Sequence, residues 1–206
     1  MPASPDLLDV RALIPLSDED MIPLPSLFLH RSELHGQAHV GRVMVHALRL
    51  VAATGFVGEV SRLWAAVYLH DIARQHDGRC SRHGGDAWDR LAQLPDVRAL
   101  LARGGVRDTD HPAIEYAVRT HCSDEPDPAG SHYRLAALLK DADGLDRVRL
   151  NDLKVRMLRH QEARAMAPFA ERLYDETVRT LRPGPDCFAD VWCVALGIQR
   201  EGPSAG

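Results

Sequence analysis

Apolar residues recur at intervals of three and four along most of the chain. Val40, Val43, Ala47 and Leu50 form one such line, Val60, Leu63, Trp64 and Val67 a second, and Ala87, Leu91 and Leu94 a third. Ile114, Ala117 and Val118 make a fourth, and Leu138, Leu145 and Val148 a fifth. That spacing is the buried face of an amphipathic α-helix. It predicts helices over about 36–54, 58–72, 81–94, 96–103, 111–122, 131–149, 153–182 and 186–199. Between them stand breakers: Gly55 and Gly58, Asp77-Gly78, Pro95, Gly104-Gly105, the "SDEPDPAGS" stretch and "RPGPD". No strand-like alternation of useful length occurs, so the expected fold is all-α, a compact multi-helix bundle.

The first 29 residues carry five prolines and are expected to form an irregular arm with one or two helical turns. Residues 30–200 read as a single helical domain and 201–206 as a disordered tail. The longest helix, 153–182, spaces Leu153, Met157, Leu158, Met166, Phe169, Leu173 and Val178 as a packing face, with a break near Pro168. In 186–199, Phe188, Val191, Trp192 and Ala195 read as core, with Cys187 and Cys193 as buried small hydrophobes.

Polar residues interrupt these apolar lines in a consistent way. Stepping on from Val67 by three and four lands on His70 and Asp71, which puts a carboxylate where the pattern calls for a buried residue. Such a group needs a positive partner, either Arg74 or a metal ion. His35, His39, Arg42 and His46 share one edge of 36–54, His83 continues the line of Ala87 and Leu91, His121 that of Ile114 and Val118, and Asp141 sits between Leu138 and Leu145. Five helices each turning imidazole or carboxylate inward is how helical bundles build metal sites. Mixed imidazole and carboxylate ligands without thiolate suit Fe, Mn, Zn, Co or Ni. His46 reads as structural, and His30, His111, His132 and His160 fall in exposed or loop positions.

At 206 residues the chain is long enough for one core without disulfide or metal staples, so a metal here would be functional. A net charge of −4 and a pI near 6.2 offer no footprint for long nucleic acid or an anionic membrane, while leaving room for a small anionic ligand. The four cysteines form no C-x-x-C pair and read as reduced thiols of a cytoplasmic protein. Apolar runs such as "LWAAVYL" are far shorter than the roughly 18–20 residues of a membrane span.

The order His39, His70-Asp71, Asp141 resembles the H…HD…D signature of the HD-domain superfamily of metal-dependent phosphohydrolases. The words "HVGRV", "LHDIAR" and "LLKDADGLDRV" are similar to the family's settings of these ligands, and "RHGGDAW" and "AIEYAVRTHC" resemble the further histidine elements of its two-metal members. The resemblance covers about residues 30–150. Only twelve positions separate Asp71 from His83, fewer than is usual in those two-metal enzymes.

What the resemblance implies is an HD-type bundle with His39, His70, Asp71 and Asp141 around one divalent ion, and Asp71 bridging to a second held by His83 and His121. The expected ion is Mn, Fe, Ni, Co, Zn or Mg, and one ion or two stays open. The implied chemistry is hydrolysis of a phosphate ester by metal-bound hydroxide, as a phosphomonoesterase or phosphodiesterase acting on a nucleotide or other small phosphorylated metabolite. Arg74 would hold phosphate, Lys140 is a lesser substrate contact, and His35, beside His39 in "LHGQAH", is a substrate contact or proton donor. The expected partner is this small substrate, with no long nucleic acid or membrane, and an oligomer is compatible. Two other readings share the ligand set: a di-iron oxygenase on the HD fold, and a non-catalytic nucleotide-binding regulator.

Overall fold

In the computed structural model, which describes residues 6–123 and 125–201, these periodicities become ten α-helices joined by turns, with no strand among the described residues. The helices are α1 (Leu7–Ala12), α2 (Gln37–Thr54), α3 (Val60–Leu69), α4 (His83–Arg90), α5 (Pro95–Arg103), α6 (His111–Thr120), α7 (Tyr133–Leu145), α8 (Gln161–Ala165), α9 (Ala167–Thr177) and α10 (Cys187–Glu201). No described helix is long and apolar enough to cross a membrane.

α2 is the centre of the bundle. It is buried almost all round and packs against α1, α3, α7 and α10, while α6 covers α3, α4 and α7. Gly41 lets α10 approach, since a Cβ there would lie 3.1 Å from Val191. α2 stops at Gly55, whose φ of 72° is the left-handed conformation that glycine adopts without steric cost. Trp64 of α3 is fully buried and its indole N–H donates to the Met21 carbonyl at 3.1 Å, so that its removal would cost about 3–5 kcal/mol.

The N-terminal segment is irregular apart from α1 and the 3-10 turns Asp18–Asp20 and Pro25–Leu27. It is nonetheless part of the bundle, because Leu7, Val10, Ile14, Met21 and Ile22 are buried in the same core as α2 and α3. Asp6 and Asp9 start α1 as a capping box. Residues 1–5 and, apart from Glu201, the expected tail lie outside the described residues.

Two expectations need correction. The stretch 153–182 is not one helix: it opens with a 3-10 turn, Val155–Met157, and becomes helical only at Gln161, with a second start at Ala167. Asn151 takes a left-handed φ of 52°, and the Asp141 carboxylate accepts the backbone N–H groups of Arg159 and His160, which anchors the chain just before α8. Pro168 then occupies the first turn of α9, where its missing N–H costs nothing. Cys193 is exposed; only Cys187 is buried.

Candidate metal centre

α3 ends at Leu69 and the chain turns at once, so that His70 and Asp71 are presented at the helix terminus while remaining buried. His39 arrives from α2, His83 from the first position of α4, and His121 from the end of α6. Gly84 makes the last pairing possible. A Cβ there would lie 2.1 Å from the Val118 carbonyl oxygen, so only glycine lets α4 come this close to α6.

Each of the four imidazoles has its Nδ1 beside an acceptor. His39 Nδ1 faces Asp146 Oδ2 at 2.7 Å, His70 Nδ1 the Val67 carbonyl at 2.7 Å, His121 Nδ1 the Val118 carbonyl at 2.6 Å, and His83 Nδ1 the Cys80 carbonyl at 3.1 Å. For His39, His70 and His121 these partners assign the proton of the neutral ring to Nδ1, leaving Nε2 with its lone pair; His83, whose Nε2 is 3.0 Å from Asp71 Oδ1, carries a proton there as well when no ion is bound. The Nε2 atoms then converge: His39 on His70 at 3.2 Å, and His83 on His121 at 2.9 Å. The facing lone pairs of His39 and His70 repel at this distance unless a cation or proton lies between them, and in the His83–His121 pair the His83 proton takes that place until an ion displaces it.

Asp71 stands between the two pairs. Its Oδ2 is 3.4 Å from His39 Nε2 and 3.7 Å from His70 Nε2, whereas its Oδ1 is 3.0 Å from His83 Nε2 and 3.8 Å from His121 Nε2. Burial opposes the ionised carboxylate, yet the surrounding histidines hold its pKa well below the ordinary value. Burial also keeps His70 neutral, lowering its pKa to about 4. His83 behaves oppositely: burial opposes its charge, but the bonds to Asp71 and Cys122 lift its pKa to about 10.

The fourth group of the first cluster is Asp143. Its Oδ1 is 3.4 Å from His39 Nε2, and His39, His70 and Asp143 form one group of side chains that could hold a metal ion. Asp141 was expected there and is not brought to it. It is fully buried as its stripe requires, but its carboxylate accepts from the Arg159 and His160 backbone, from Arg159 Nη1 and from His160 Nδ1. Two positions along a helix is a rotation of about 200°, so Asp141 and Asp143 face opposite ways.

Asp146 supports the cluster from behind. It accepts from His39, and from Arg42 through Nε at 2.6 Å and Nη2 at 3.1 Å. A carboxylate behind a ligating histidine fixes its tautomer and raises its basicity. Asp146 lies three residues after Asp143, one turn on along the same side, and that spacing was the available signal for both.

A second group that could hold a metal ion comprises His83, His121 and Cys122. The expected ligand set did not include this cysteine, which the structure places beside two of its histidines. It follows His121 where α6 has already ended, so helical phase could not place it. Burial opposes its thiolate, but the neighbouring His83 and His121 bring its pKa down to about 7.

Above the centre opens a cavity of about 490 Å³, whose lining includes Arg74, Arg79, Arg147, Arg149, His35 and Leu150 and no Phe, Tyr or Trp. Arg74 Nη1 is 3.7 Å from Asp71 Oδ1 and 3.2 Å from His83 Nε2. It therefore supplies positive charge to the His83 side. Asp143 has no ion pair with Lys or Arg among the described residues, and Arg149 acts on it only from a distance. Two carboxylates and two inward lone pairs make that side the better fit to a divalent metal.

No protein-family model, curated protein or solved structure matches the chain.

The remaining expected residues take definite positions. His35 lines the cavity, its Nδ1 3.1 Å from Asp77 Oδ1, and burial lowers its pKa to about 4. Its ring is therefore neutral at neutral pH, with Nδ1 directed at Asp77. Lys140 donates to the Thr120 and His121 carbonyls at 2.7 and 3.1 Å, capping the end of α6 and fixing the backbone of His121. It also lines a neighbouring cavity of about 290 Å³ shared with Asp143 and Arg147.

Proposed function

We propose that this chain is a metal-dependent phosphohydrolase of HD type, acting on a small phosphorylated metabolite. The observation that carries the reading is the division of the Asp71 carboxylate between two imidazole pairs whose Nε2 atoms converge, beneath a cavity ringed by four arginines.

His39, His70, Asp71 and Asp143 would hold one divalent ion, and His83 and His121 a second that shares Asp71. When bound, such ions supply an activated water and neutralise charge on phosphoryl oxygens. The chain's own residues do the rest. Asp146 holds the His39 ring in the tautomer that turns Nε2 inward. Arg74, its Nη1 beside Asp71 and His83 and its Nη2 donating to the Gly78 carbonyl, would set a fixed positive charge for phosphate on the cavity wall, and Arg149 adds to it. His35, neutral and hydrogen-bonded to Asp77, has Nε2 left to accept a proton from water or a substrate hydroxyl. With arginines and no aromatic ring lining it, the cavity favours ligands recognised by charge over bases recognised by stacking.

The test is phosphate release from a panel of sugar phosphates, nucleotides and cyclic nucleotides, with Mn, Ni, Co, Mg, Zn and Fe(II) in parallel. Release that requires a divalent ion and is lost in a folded Asp71→Asn variant is the expected result. Absence of release from every substrate, in protein shown to carry its ions, overturns the reading.

A further inference from the structure

The two halves of the centre differ in chemistry. On one side stand His39, His70 and Asp143, all nitrogen and oxygen donors, and on the other His83, His121 and Cys122, whose donor atoms lie within 4.8 Å of one another. We propose that the Cys122 thiolate is a direct ligand of the second ion, making that half a soft His-His-Cys site closed by Asp71 and selective for zinc or another thiophilic metal. This rests on the two-ion reading above and adds to it a ligand and a metal preference.

Three features support it. The first is local geometry: α6 ends at Thr120, the chain turns, and Cys122 is left half-buried on the wall of the cavity beside His121 rather than a helical step away from it. The second is the absence of a competing role. Beyond its hydrogen bonds to His83 and to the Gly84 backbone, which lie within the cluster itself, the sulfur has a weak contact of 3.9 Å to the Arg119 carbonyl and no disulfide. The third is the donor count. His83, His121 and Asp71 Oδ1 supply three ligands, and a structural or electrostatic zinc site takes four in a tetrahedron. Cys122 completes the set, losing its thiol proton to solvent as the ion binds.

The consequence is a division of labour between two ions. Thiolate and imidazole favour zinc or cobalt, whereas the His39 side, with two carboxylates, accommodates manganese or iron as well. With four protein ligands the second ion would be closed to water, leaving the first as the one open to substrate.

The experiment is zinc K-edge X-ray absorption on full-length, metal-stripped protein reloaded with Zn(II), with zinc counted per chain. We expect two zinc ions and one sulfur neighbour at about 2.3 Å, shared over the two sites. The sulfur signal should vanish in Cys122→Ser and persist in Cys80→Ser and Cys193→Ser. In excess Mn(II) the wild type should keep one zinc per chain, and Cys122→Ser should bind that ion at least about tenfold more weakly, since even a residue behind a ligand is worth about that much. Cys122→Asp, which restores a charged ligand without sulfur, should recover the ion and shift its preference toward manganese. Circular dichroism at matched temperature confirms that each variant is folded. Two zinc ions with nitrogen and oxygen neighbours alone overturn the cysteine and leave the two-ion reading standing. No bound zinc, in folded protein, overturns both.

Discussion

His39 and Asp146 are joined Nδ1 to Oδ2 at 2.7 Å across 107 positions of sequence, both fully buried, and Arg42 grips the same carboxylate through two nitrogens. This triad decides which way the His39 lone pair points. Asp146→Asn removes the charge that holds both partners. Ion affinity should fall by about 10–100-fold, read by metal titration of the folded protein. Stability should fall by about 3–5 kcal/mol, read by denaturant unfolding, because Arg42 is left as an uncompensated buried charge.

Asp141 and Asp143 separate folding from metal binding. Asp143→Asn should lower the ion count per chain by one, with little change in the unfolding midpoint of the metal-free protein. Asp141→Asn should do the opposite: ions retained, stability lower by about 1–3 kcal/mol, because the charge-assisted bonds to Arg159 and His160 are weakened. Metal content and thermal unfolding measured on the same samples distinguish the two.

His46 is buried in α2 with neither ring nitrogen hydrogen-bonded among the described residues. His46→Leu, close in size and without polar atoms, should stabilise the protein by roughly 1–3 kcal/mol. Burial also lowers the pKa of His46 from 6.5 to about 4. The unfolded chain therefore takes up a proton below pH 6.5 that the folded chain refuses until about pH 4. The wild type loses stability as pH falls through this window, by at most roughly 1.4 kcal/mol per unit from this one group. Chemical denaturation at pH 7, 6 and 5 should show a shallower loss in the variant.

Arg74 bears on substrate rather than on the His39-side ion. With a phosphorylated substrate, Arg74→Ala should raise KM by roughly ten- to a hundredfold, the worth of charge-assisted hydrogen bonds. Arg74→Lys should restore part of it, since lysine keeps the charge and loses the fork. Steady-state kinetics at saturating metal read both. Unchanged KM in Arg74→Ala would remove this residue from the phosphate contact.

Much of the fold was legible because helical periodicity is local. The lines through Val40 and Leu50, or Val60 and Val67, require only that one face be apolar, and both faces are buried as expected. The long 153–182 helix failed for the converse reason: Leu158, Met166, Phe169 and Leu173 are buried, but the break before Gln161 depends on the carboxylate of Asp141, about twenty residues away.

His39, His70, Asp71, His83 and His121 were legible one by one, as polar residues on lines that predict burial, and that is what the sequence by itself determined: which helices would turn imidazole or carboxylate inward. Tertiary structure decided which of these meet. Asp141 and Asp143 are both partly or wholly enclosed on α7, and the choice between them lies in whether α8 or α2 packs on a given face. Cys122 joins its histidines because Gly84 lets α4 and α6 touch. Periodicity specifies the angle of a side chain about its own helix axis; the neighbour at that angle is set by the packing of the whole bundle.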